Sequence, residues 1–152
     1  MSSQFEPNYD GYRQKVIESF NRQDIMKTVN ASILGIRPGV LELGFPYQSN
    51  LTQQHGFIHA GIVATVLDSA CGYAALSLMP EHAAVLTIEF KLNLLSPATG
   101  ERFRAVGRVK KPGRNITVAE GELFSDAEGG QKLIAVMVGT LMSVYNRDGI
   151  ES

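Results

Sequence analysis

Residues 59–78 constrain what this chain can fold into more than any other segment. They are rich in Ala, Leu and small residues and stop before Pro80, as a helix with a defined end does. Val63, Leu67, Ala70 and Ala74 form one apolar stripe, and Ile62, Val66 and Tyr73 form another. A helix that is apolar nearly all round has no face to give to water and must be enclosed. The remaining chain is β-like. Residues 31–36 and 40–45 read as strands separated by Arg37-Pro38-Gly39, a strong turn signal. Residues 85–95, 102–109, 116–124 and 132–145 read as four more, with turns at 96–100, 110–114 and 126–130. In the first of these, Leu86, Ile88, Phe90, Leu92 and Leu94 alternate with Thr87, Glu89, Lys91 and Asn93, a period of two. The last is apolar on both faces, as a central strand would be. Consecutive hairpins would make these later strands antiparallel. The pattern alone predicts an α+β fold; because a single apolar helix must be covered, a curved antiparallel sheet wrapped around it is the arrangement expected.

Tyr12, Val16, Ile17 and Phe20 recur at helical spacing, with Asp10 placed to cap them. Residues 1–29 therefore form an N-terminal helical segment and residues 30–145 the core of one domain spanning 1–152. Charged residues make up 19% of the chain, below the roughly 25% usual for soluble domains. Much surface is expected to be hidden, in the core or against other subunits. A formal charge of -1 argues against nucleic-acid binding, which needs an excess of clustered Lys and Arg. No apolar run is long enough for a membrane span, and residues 1–10 lack the order of a signal peptide. Cys71 is the single cysteine and has no disulfide partner, so a reducing, cytoplasmic setting is expected.

Between Ala60 and Pro80, Asp68 is the only side chain charged at neutral pH. A carboxylate on a buried helix is costly unless paired or hydrogen-bonded. It is either a structural Asp tied to an Arg or to backbone donors, or a functional one. Just upstream runs His55-Gly56-Phe57-Ile58-His59-Ala60-Gly61. A helix N-terminus presents free N–H groups and a partial positive charge, and small residues there let a ligand oxygen approach the backbone. Gly61 and Asp68 are two helical turns apart and can share a face. An oxyanion-binding turn beside a carboxylate suits acyl transfer; the plainer alternative is a helix start with packing glycines. His55 and His82 read as loop and surface residues, and no metal-ligand spacing is present. Cys71 reads as a packed thiol.

The segment His59-Ala60-Gly61-Ile62-Val63-Ala64-Thr65-Val66-Leu67-Asp68 resembles the His-Gly-Gly…Asp signature of hotdog-fold thioesterases, closest to the phenylacetate-degradation (PaaI-like) branch. The resemblance continues through Gly72-Tyr73-Ala74-Ala75, residues 87–94, Ser96-Pro97-Ala98-Thr99-Gly100 and residues 109–121. It implies an acyl-CoA thioesterase with Asp68 as nucleophile or as general base toward water. The same resemblance makes the Ala60 N–H, with Gly61 beside it, the group that polarises the thioester carbonyl. The family more often has Gly at position 60, but Ala keeps the donor. His59 falls at a position that shapes the carbonyl site. Gln53 falls where an Asn or Gln steadies the thioester, with Asn50 and Gln54 close by. Thr87 falls where a hydroxyl orients water, although Thr is also simply a good strand residue. Arg108, Lys110, Lys111 and Arg114 either meet the phosphates of coenzyme A or form a solvated rim. Coenzyme A is part of the substrate, so no separate cofactor is expected. Homodimers with sites at the subunit interface, often paired into homotetramers, are implied as well. A thiolate of pKa about 8.5 leaves without a strong general acid. The alternatives are a hotdog hydroxyacyl-thioester dehydratase, whose His-Phe-Pro-type motif is missing, and a non-catalytic acyl-CoA-binding sensor. Which acyl group is taken stays open.

Overall fold

The computed structural model describes residues 4–152; the first three residues of the expected N-terminal segment lie outside them. Two short helices, α1 (Tyr12–Asn21) and α2 (Asp24–Val29), precede strands β1 (Ser32–Arg37) and β2 (Val40–Pro46). A 3-10 turn at Ser49–Leu51 leads into the long helix α3 (Ala60–Leu76). Strands β3 (Ala83–Leu94), β4 (Arg102–Lys111), β5 (Ile116–Ala127) and β6 (Gly130–Tyr145) follow. The six strands form one antiparallel sheet in the order β1-β2-β4-β5-β6-β3. This is the hotdog fold. Among the described residues, no helix is long and apolar enough to cross a membrane.

The sheet closes on α3 where two strands give up their side chains. A Cβ added to Gly107 on β4 would lie 2.3 Å from the Ala70 carbonyl oxygen, and one on Gly121 of β5 would lie 3.0 Å from Cys71 Sγ. Glycine at both positions lets the helix press onto the sheet centre. Val63, Val66, Leu67 and Ala70 on α3 meet Leu41, Leu43, Ala105, Leu123 and Leu141 in one core. Truncating a fully buried residue such as Leu67 to Ala would cost about 2–5 kcal/mol.

Three details depart from expectation. Asp10 does not cap α1: the N-cap is Gly11, and no side chain bonds there. Ile17 also stays exposed, because α1 buries only the Tyr12, Val16 and Phe20 side. Second, β3 and β4 are not a hairpin. The 96–100 connection carries the chain across the sheet, so β3 pairs only with β6 and becomes an edge. Third, β3 does not keep a period of two. Its register with β6 shifts between Thr87 and Glu89. Thr87 lies opposite Leu141 and Phe90 opposite Gly139, so both point to the helix side, whereas Leu86 points outward opposite Met142. A bulge of this kind re-aims a side chain, and bulges gather near active sites.

Candidate active site

The bulge brings Thr87 to α3. Its hydroxyl donates to Asp68 Oδ1 at 2.7 Å. Asp68 has neither a cationic partner nor a backbone donor among the described residues, so the structural reading, a carboxylate tied to an arginine or to backbone donors, does not apply. Burial pushes the Asp68 carboxyl above its ordinary pKa, and the Thr87 bond only partly opposes this. Asp68, with Oδ1 held by Thr87, lines a cavity of about 540 Å³. Ser69, Gly72 and Tyr73 continue the lining of this cavity along α3. Ser19, Arg22 and Gln23 form a wall beside α3, and residues 149–152 also line the cavity. No pattern linked residues 19–23 to Asp68, because packing of α1 against α3 brings them together.

The start of α3 is built separately. His59 is the N-cap, and its Nδ1 accepts the Gly61 N–H at 2.8 Å. An Nδ1 that accepts puts the proton of the neutral ring on Nε2. The Gly61 N–H is therefore engaged, while the Ala60 N–H has no partner among the described residues, as the first N–H groups of a helix lack one within it. Gln53 and Ala60 line a second cavity of about 330 Å³ together with Leu94, Leu95, Pro97 and Ala98. The Gln53 Oε1 accepts the His55 N–H, which folds that side chain back on its own loop.

Asp68 and Thr87 thus meet in one cavity, and Gln53 and Ala60 in another. Gly61 and Asp68 do share a helix side, but eight residues from Ala60 to Asp68 span about 12 Å of axis at 1.5 Å per residue. A carbonyl held at the Ala60 N–H and the water to be activated must lie within about 3 Å of their partners. One copy of the chain does not bring these groups together. The basic residues also separate. Arg108 pairs across the sheet with Val40 and Glu120 on the side away from α3, and Lys110 forms an ion pair with Glu120 at 3.1 Å. Lys111 and Arg114 flank the turn after β4. Arg114 lines a cavity at the other end of α3, beside Leu78 and Met79. Burial, with Asp68 and Glu120 nearby, pushes the Cys71 thiol up to about 12, which suits packing and not nucleophilic attack.

The fold alone does not set the chemistry; sequence comparison places the chain in a class of thioester-hydrolysing proteins. Residues 55–131 match the thioesterase superfamily. The chain belongs to that superfamily and is a thioester hydrolase. A thioesterase family protein from Silicibacter pomeroyi has 57% sequence identity and superposes with a TM-score of 0.88, over 90% of this chain and 100% of that one. A Saccharolobus solfataricus protein, named only as a candidate esterase, is 32% identical over 124 residues, covering 81% of this chain and 86% of that protein. The medium/long-chain acyl-CoA thioesterase YigI of Escherichia coli is 27% identical over 84 residues, 47% of this chain and 54% of YigI. The E. coli PaaI protein shares the fold, with a TM-score of 0.79 at 18% identity over 88% of this chain and 93% of that one.

Proposed function

We propose that this hydrolase cleaves acyl-CoA as a two-fold dimer, each site joining Asp68 and Thr87 of one subunit to Gln53, His59 and Ala60 of the other. The observation that carries this reading is the separation of the two half-sites along α3 (about 12 Å), which a second copy can bridge and one copy cannot. The edge strand β3 supplies the contact. Ile88, Phe90 and Leu94 are 52%, 42% and 54% exposed on it, and an unpaired strand edge is a ready template for another strand. Thr87 lies on that same edge.

The thioester oxygen sits against the Ala60 N–H, at the positive end of the helix. Asp68 Oδ2 takes a proton from water as the water oxygen adds to the carbonyl carbon. The tetrahedral oxyanion gathers charge at Ala60, then collapses, and the carbon–sulfur bond breaks. Coenzyme A leaves as a thiolate, stable enough to need no strong acid. The raised pKa of Asp68 makes it a better base than an ordinary carboxylate. Lys111 and Arg114 make no ion pair among the described residues and are the cations assigned to the phosphates. Support for the acyl-CoA class comes from likeness to YigI. The test is thiol release from a panel of acyl-CoA thioesters, with the mass taken by light scattering under assay conditions. Absence of release from every member would refute the substrate class, and an active monomer would refute the shared site.

A further inference from the structure

Two features of the Asp68 cavity have no part in the bond-breaking step. The first is Gly72, one helical turn beyond Asp68. Glycine inside a helix weakens it relative to alanine, so it needs a reason. At Gly107 and Gly121 the reason is close approach of helix and sheet. Gly72 has no such reason: its φ is not positive, and an added Cβ would meet only Leu141 Cδ2, at an ordinary 3.6 Å. Apart from its own helix, no other heavy atom lies within 4 Å of that position, and Gly72 lines the cavity.

The second feature is the wall formed by residues 19–23, where polar groups pair with α3 and leave donors over. Ser69 Oγ donates to Gln23 Oε1 at 3.0 Å, so the Gln23 amide N–H groups remain without an acceptor among the described residues. The hydroxyls of Ser19 and Tyr73 share one hydrogen bond at 3.3 Å, which leaves one O–H to give. The Arg22 guanidinium forms no ion pair among the described residues. The other acidic side chain lining the cavity, Glu151, makes no ion pair with Arg22. A wall with three kinds of spare donor, and no anion paired to its guanidinium among the described residues, is suited to an acceptor oxygen, above all a charged one.

We propose that the acyl group runs from Asp68 over Gly72 to this wall, and that it ends in a carboxylate received by Arg22, Gln23 and the Ser19–Tyr73 hydroxyl pair. Tyr73 lies five residues beyond Asp68, about 7.5 Å along the axis, so the carboxylate stands several bonds from the thioester carbon. The inference rests on the acyl-CoA reading above and names the substrate class of the same site. Arg22 acts in specificity, not in the bond-breaking step.

The experiment uses matched pairs of acyl-CoA thioesters of equal chain length, one ending in methyl and the other in carboxylate. Thiol release is followed for the natural protein, Arg22→Gln and Gly72→Ala. The natural protein is expected to favour the carboxylate member by about tenfold in kcat/KM, the size of a partly screened charged hydrogen bond. Arg22→Gln is expected to collapse that ratio toward one. Gly72→Ala is expected to lower kcat/KM for chains long enough to pass it, with a melting temperature no lower than that of the natural protein, which separates a filled cavity from a damaged fold. Equal or better turnover of the methyl members overturns the inference, as does an equal loss on both members in Arg22→Gln. If no acyl-CoA of either kind releases thiol, the acyl-CoA reading itself fails and carries this inference with it.

Discussion

Replacing Ala60 with proline removes one hydrogen atom from the proposed site and almost nothing from the fold. Ala60 is the first residue of α3, the position where proline is best tolerated in a helix. The residue before a proline must be extended, and His59 already has ψ 141. The Ala60 N–H bonds to nothing in the described chain, so no native hydrogen bond is lost. What disappears is the proposed oxyanion donor, and loss of one such donor lowers kcat by about 10²–10³, or about 2.7–4 kcal/mol. Thiol release gives kcat, and a thermal melt shows whether the fold survives. A second arm mixes this variant with Asp68→Asn after exchange of subunits. Half of the dimers formed at random are mixed, and each carries one site with both an intact Asp68 and an intact Ala60. About a quarter of the natural activity should therefore return if the dimer is isologous. Full kcat in Ala60→Pro would refute the donor assignment. Mixed dimers that form without regaining activity would refute the shared site.

The Thr87 bond to Asp68 gives a second prediction. Thr87→Val keeps the shape and removes a charge-assisted bond worth about 1.5–3 kcal/mol, less where exposed, so kcat/KM should fall by about tenfold and Thr87→Ser should recover most of it. Losing that bond destabilises the carboxylate, so the acid limb of the pH–rate profile should move to higher pH, and an unmoved limb would contradict the contact. Stability should respond to Asp68 in the opposite sense to activity. Burial raises its pKa in the folded state, so it contributes stability that is present below its unfolded pKa and lost as pH rises through the folded value. Asp68→Asn should therefore melt above the natural protein at neutral pH and lose that advantage in acid, while turnover drops by about 10²–10⁴. A variant that melts lower at neutral pH would show that the ionised carboxylate supports the fold.

Much of this architecture was readable from residue order, for identifiable reasons. The helix that must be enclosed stood out because only one side chain between Ala60 and Pro80 is charged, and that same singularity drew attention to Asp68. The strands were readable from their turns. Their neighbours were not, because nothing in the 96–100 connection says whether it makes a hairpin or crosses the sheet. Strict alternation would have set Thr87 on the side opposite Phe90; only the register shift against β6 turns it toward Asp68, and a bulge inside an apolar run leaves no mark in composition. Residues 19–23 lie some fifty positions before Asp68, and their role as a cavity wall depends on tertiary packing alone. The 12 Å between Ala60 and Asp68 could be counted from the sequence as helical rise. Its meaning emerged only when the two residues were found in different cavities.

The close seating of α3 on Gly107 and Gly121 has a mechanical consequence. At Gly107 backbone lies nearly against backbone, which leaves the helix little room to shift against the sheet. In the proposed dimer each helix carries the donor of one reaction centre at its first residue and the base of the other two turns on. The two centres are therefore geared together: a tilt that tightens one at its donor end shifts the other at its base end. Neither can be tuned alone by moving a helix, and adaptation to a new acyl group must come through the other residues lining the cavity, at the α1–α2 junction and in residues 149–152.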